Sequence, residues 1–336
     1  MPSNATNQVD TTHLRSLDIL RVIAIFFVML IHSTVSGDVK DRSGIFFLVR
    51  FLEFGAVPVF FLLSGYLGAR KINSKDVSAY RYAKDKYHTL IVPFLFWNAL
   101  VLSLVFIAKL AGLHHIINGN GAYFDVKPTF TSIASALFGI GRSPIVYQFW
   151  FLRDLIVVSA ASFVACRYLP RIPLLSWLLF FIPVPMASSM GYYLLGYNLQ
   201  TYLPVSKFPS PKLSGIYCTV WILLGWGVKS TGTQIPYPLL QIGSAAFLFF
   251  FALMLYHFTW GKQLAAIGTS TFIVYAMHEP MQTIISKAWQ AQGWPGYGSL
   301  FGLFLIPIIV FPLCVLVYFT VKRLCPFMLQ YMTGGR

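Results

Sequence analysis

Three ionisable residues share one stripe of the first long apolar stretch, Asp18 to Ser36. Arg21 and His32 are eleven positions apart, which returns to within about 20° of the same helix face and separates them by about 16 Å along the axis. Asp18 lies on that stripe one turn before Arg21. Charged groups at membrane depth are costly and face a site or a partner rather than lipid. The chemistry on offer is specific: an imidazole titrates near neutral pH, and a guanidinium grips phosphate or carboxylate with a planar fork. Asp18 and Arg21 can also pair one turn apart and merely anchor the helix end. That pairing leaves His32 unexplained.

Four more places put polar groups among apolar ones. Glu53 follows Arg50 by one turn in the second apolar stretch, where a structural ion pair and a functional role weigh equally. Arg153 and Asp154 are adjacent, point about 100° apart on a helix and are expected to be poor partners for each other. Arg153 is expected to meet Glu53 or a ligand anion, while Phe149 and Trp150 before it fit an interfacial aromatic belt. His278 and Glu279 sit at mid-depth of a late apolar stretch, followed by Pro280. A proline there frees the carbonyl one turn back and kinks the helix, as in helices that line a cavity. His257, at a span end, reads as interfacial. The four cysteines show no ligand spacing, and no metal site is indicated.

The elements that carry these residues follow from composition. Of 336 residues, 57% are hydrophobic and 10% charged, and mean hydropathy is +0.69. Soluble domains carry about 25% charged residues, so this is an all-α polytopic membrane protein. Ten transmembrane spans are expected, at 17–36, 44–68, 89–111, 147–166, 172–187, 189–204, 214–229, 237–256, 268–289 and 298–321. The sixth is the weakest, being short and rich in Gly and Tyr. They divide the chain into a polar N-terminal tail (1–16), a membrane domain (17–324) and a short C-terminal tail (325–336). The net charge of +15 does not indicate nucleic-acid binding, because the basic residues cluster in short loops. With both termini cytoplasmic, most Lys and Arg fall inside, and only Lys40, Arg42, Lys127 and Arg142 lie in outer loops. That is the positive-inside bias. The inner loop 69–88, with Arg70 and Lys71 at its start, suits anionic headgroups or a polyanionic cytosolic ligand. His114 and His115, in the long outer segment 112–146, read as surface histidines.

These residues resemble the acyltransferase 3 family of membrane O-acyltransferases. The resemblance rests on Arg21 and His32 with ten residues between them, on VPVFFLLSGYL (57–67), on FWFLRDL (149–155) and on STFIVYAMHEP (270–280), in the family's order. It implies ten helices, cytoplasmic termini and a place in the bacterial inner membrane. It also implies transfer of an acyl group, usually acetyl, from cytosolic acetyl-CoA to a hydroxyl of a surface polysaccharide or lipid-linked sugar. Polysaccharide-assembly proteins are expected as further partners. Such chemistry needs a base for the hydroxyl proton and positive charge for the oxyanion. His32 is the expected base or covalent acyl carrier, with Arg153 near the reacting carbonyl and His278 and Glu53 orienting His32 or binding acceptor hydroxyls. Arg21, beside Asp18, and the basic residues Arg70 and Lys71 are the expected donor-binding groups. A transporter or flippase for an anionic or sugar-linked solute, and an assembly partner in polysaccharide export, are the alternatives of other classes.

Overall fold

The computed structural model describes residues 3–33, 43–72, 78–112, 126–168, 173–182, 184, 186–204, 207–294 and 298–335, which contain helices and no strand. His114, His115, Lys40 and Arg42 lie outside the described residues. Helix α1 (Ser3–Ile31) is the hub. Leu17, Ile19, Leu20, Ile23, Ala24, Ile25, Val28, Met29 and Leu30 are all buried, and a helix apolar on every side but one narrow stripe belongs inside a bundle. The polar residues expected to form a tail continue this helix from Ser3.

The second apolar stretch breaks in two, α2 (Gly44–Glu53) and α3 (Ala56–Ile72). Gly55 sits at the break, where a Cβ would lie 2.2 Å from the backbone nitrogen of Ala245. The absence of a side chain therefore lets the junction rest directly on the helix carrying Ala245. Ser244 Oγ reinforces it by donating to Phe51 O at 2.7 Å. Next come α4 (Ala79–Lys86) and α5 (Val92–Leu110), joined by a π turn, so part of the expected inner loop is helical. Two elements follow, α6 (Phe130–Phe138) and α7 (Trp150–Tyr168), the latter entered through a 3₁₀ turn at Tyr147–Phe149.

The expected fifth span is only the short α8 (Pro173–Leu178) with a 3₁₀ turn, Leu179–Phe181. The doubtful sixth is α9 (Ala187–Tyr202), which among the described residues packs more extensively on α3 than any other two helices pack together. Its small residues explain the contact. A Cβ on Gly65 would lie 1.9 Å from Tyr193 O, and one on Gly196 2.0 Å from Leu62 O. Reciprocal glycines of this kind let two helix backbones meet, the usual solution inside a membrane. Tyr192, Tyr193 and Tyr197 are buried in this interior, and the Tyr193 hydroxyl lies 3.2 Å from that of Tyr82.

The rest of the bundle is α10 (Pro211–Thr231), α11 (Tyr237–Tyr256), α12 (Thr259–Ala266), α13 (Thr271–Ala291) and α14 (Leu300–Leu324). The chain then turns back in α15 (Pro326–Thr333), which docks on α5 where Trp97 Nε1 donates to Met332 O at 2.9 Å. Among the described residues, five helical stretches are long and apolar enough to cross a membrane: Gly44–Ile72, Ala79–Leu110, Tyr147–Cys166, Tyr237–Tyr256 and Leu300–Leu324.

Candidate active site

The end of α1 is held by α13. The last carbonyls of a helix lack intrahelical partners. Met29 O accepts from Ser33 Oγ at 3.1 Å and from Gln282 Nε2 at 3.0 Å, and the same amide reaches Ser33 Oγ at 3.2 Å. His32 therefore sits between two anchored residues, at a fixed helix end. Its Nδ1 is 2.6 Å from the Tyr147 hydroxyl, which enters from the turn before α7. Its ring lies 5.3 Å from that of His278.

His278 is fully buried. Its Nδ1 donates to Tyr275 O at 2.8 Å and to Val274 O at 3.2 Å. Carbonyls only accept, so Nδ1 carries the proton and Nε2 is a bare acceptor. Pro280 has the consequence its position dictates. It lacks the N–H that would bond Ala276 O, and that carbonyl accepts instead from Gln148 Nε2 at 3.2 Å. Tyr275 closes the arrangement by donating to Gln148 O at 2.7 Å. The helix kink, the turn before α7 and the end of α1 thus converge on one pair of histidines.

About three turns back along α1 from His32, near the middle of the helix, lies a cavity of about 620 Å³. Asp18, Arg21, Arg70 and Lys71, the four expected donor-binding residues, all line it, together with Lys86 and Asp85. Phe60, Leu63, Leu67, Phe151, Leu152 and Phe272 give it an apolar wall, and Tyr275 belongs both to this wall and to the histidine site. Arg21 pairs with Asp18, and each side chain keeps about a third of its surface exposed, so the pair is part of the cavity wall. Lys71 bonds Asp85 at 2.8 Å. With four basic and two acidic side chains, the lining is net positive.

Two expected site residues are held in ion pairs with groups close in sequence. Arg153 does not meet Glu53. Contrary to expectation it bonds its neighbour Asp154, through Nε at 3.0 Å and Nη2 at 2.9 Å, while Nη1 donates to Gly139 O at 3.0 Å. The 100° rule governs Cβ directions, but an arginine is long enough to fold back to the next residue. It thereby caps the end of α6, whose terminal Gly139 is left-handed. Phe149 is likewise no interfacial residue: it is fully buried and stacks on Tyr275 at 5.3 Å. Glu53 pairs with Arg50, which also lies over the Phe46 ring at 4.9 Å.

The residues missed in the sequence are Tyr147, Gln148 and Gln282. Gln282 was within reach, because it lies one turn after His278 on the same face. Tyr147 and Gln148 precede an apolar helix, and nothing local marks them.

A helical membrane protein thus carries two chemically distinct sites along its hub helix, a polar centre at one end and a basic, amphipathic cavity near the middle. The chain belongs to the acyltransferase domain family (acyltransferase 3), whose pattern matches residues 14–320. It is an acyltransferase. The succinoglycan biosynthesis protein ExoH of Rhizobium meliloti (strain 1021) is 24% identical over 352 residues, covering 95% of this chain and 92% of that protein. No solved structure matches the chain.

Proposed function

We propose that this acyltransferase moves an acetyl group from acetyl-CoA to a hydroxyl of a cell-surface or lipid-linked polysaccharide. The observation that carries the reading is the arrangement along α1, with the basic cavity at Arg21 and the paired histidines at His32. A coenzyme A thioester supplies the activated acyl group. Its anionic head suits Arg21, Arg70, Lys71 and Lys86, and its uncharged arm suits the apolar wall formed by Phe60, Phe151 and Phe272. Bidentate phosphate binding favours the two arginines, whereas a lysine offers a point charge.

At His32, a Tyr147 hydroxyl that accepts the Nδ1 proton leaves Nε2 as the base. It takes the acceptor's hydroxyl proton while the hydroxyl oxygen bonds to the acyl carbon and the sulfur leaves as thiolate. The polysaccharide acceptor is supported by ExoH, whose name places it in succinoglycan biosynthesis. The ten-span topology, cytoplasmic termini and inner-membrane location belong to the same reading. They put the basic cavity on the side of cytosolic donor and His32 in the outer half of the membrane.

The test is to supply labelled acetyl-CoA to the purified protein in proteoliposomes, with glycan extracted from the source cells. Label on glycan, lost when either component is omitted, is the expected result. Solute uptake without acetyl transfer would overturn the proposal.

A further inference from the structure

Three buried side chains around His32 each end in an acceptor atom with no partner among the described residues: Gln148 Oε1, His278 Nε2 and Gln282 Oε1. The residues are 4%, 0% and 3% exposed. In each case the donor side of the group is already committed to backbone carbonyls. Gln148 donates to Ala276 O, His278 to Tyr275 O and Val274 O, and Gln282 to Met29 O. Turning either amide over would set oxygen against oxygen. Exchanging the histidine tautomer would do the same to its nitrogen lone pair. The unpaired atoms are therefore acceptors by construction, and buried polar groups are rarely left unpaired.

The three sit in one neighbourhood. Gln282 bonds Ser33, next to His32. Gln148 follows Tyr147, which bonds His32. The His278 ring is 5.3 Å from that of His32.

We propose that Gln148, His278 and Gln282 form a hydroxyl-recognition subsite, which holds a neutral sugar by its O–H donors and presents one hydroxyl to His32. The assignment rests on the polysaccharide-acceptor reading above and names what would bind: a ring bearing several adjacent hydroxyls. A phosphate or carboxylate would bring lone pairs against lone pairs and is disfavoured. Gln148 and Gln282 are specificity residues and take no proton.

The experiment uses the full chain in lipid nanodiscs, with labelled acetyl-CoA and extracted source-cell glycan as the acceptor probe. Gln148→Met and Gln282→Met keep volume but remove the whole amide, so a fall in kcat from the freed Ala276 or Met29 carbonyl accompanies the loss of the acceptor oxygen, and the KM values carry the test. Each should raise the glycan KM by a factor of about 10, the worth of one hydrogen bond, with the acetyl-CoA KM within about twofold of wild type. A merely structural role would instead raise both KM values together or lower kcat alone, and either pattern overturns the subsite, as does an unchanged glycan KM. A wild-type measurement stands apart from folding of the variants. Permethylated glycan, which offers lone pairs but no O–H donor, should not compete with native glycan. Competition by it overturns the subsite. Absence of label on glycan from the wild type would overturn the function reading itself, and the subsite with it.

Discussion

The catalytic reading depends on a single side chain, His32, and on how firmly it is held. It follows a helix end whose carbonyl at Met29 is bonded by Ser33 and Gln282, and its Nδ1 meets Tyr147. His32→Ala should lower acetyl transfer by a factor of about 10² to 10⁴, the usual worth of a positioned base, while the protein still reaches the membrane in normal amount. Initial rates in proteoliposomes at matched protein level check this. Tyr147→Phe keeps the ring and removes one hydrogen bond. It should lower kcat by a factor of about 10 with both KM values unchanged. A fully active Tyr147→Phe would leave the phenol as packing alone. Much of this was legible at the residue scale. The Asp18–Arg21 and Arg50–Glu53 pairs follow from one-turn spacing, and Pro280 announced a freed carbonyl. What could not be read was who uses that carbonyl. Gln148 arrives from a different helix, and tertiary partners leave no mark on local spacing. Arg153 shows the reverse failure, where a rule about directions was applied to a side chain long enough to ignore it.

At the scale of elements, glycines decide which helices touch. α3 and α9 approach through Gly65 and Gly196, each close enough to the other's backbone that a Cβ would sit about 2 Å from a carbonyl oxygen. Gly65→Leu or Gly196→Leu would push the two apart, and overpacking of this kind costs about 1–3 kcal/mol or more. Thermal unfolding in detergent should show a clear drop for either variant, and none for Gly227→Leu, where a Cβ meets nothing within 4 Å. Equal stability across the three would remove the glycine contact from the account. The sixth apolar stretch looked weak as a span because it is short and rich in Gly and Tyr. The same composition marks a helix specialised for close packing inside protein, where hydropathy says little. The break at Gly55 and the short α8 were also beyond hydropathy, which measures apolar length but not continuity.

Across the whole molecule, the hub helix links a charged cavity to a histidine site through Tyr275, which belongs to both. Arg70 and Lys71 lie on the cavity wall, and both residues are exposed. Replacing both with Gln should raise the acetyl-CoA KM several-fold, flatten its dependence on salt, and leave the glycan KM in place. Steady-state kinetics at two salt concentrations measure this, and a raised glycan KM instead would separate the cavity from the donor. The same layout ties topology to chemistry. A reporter fused after Arg336 should be active only in the cytosol.

The most direct test of the two-site arrangement is one pair of variants under one assay. Labelled acetyl-CoA is bound to, and then chased from, wild type, Arg21→Ala and His32→Ala in nanodiscs with glycan present. The arrangement predicts that His32→Ala binds donor as wild type does yet transfers almost none of it, whereas Arg21→Ala binds donor weakly. Wild-type transfer by His32→Ala, or undiminished donor binding by Arg21→Ala, would contradict it.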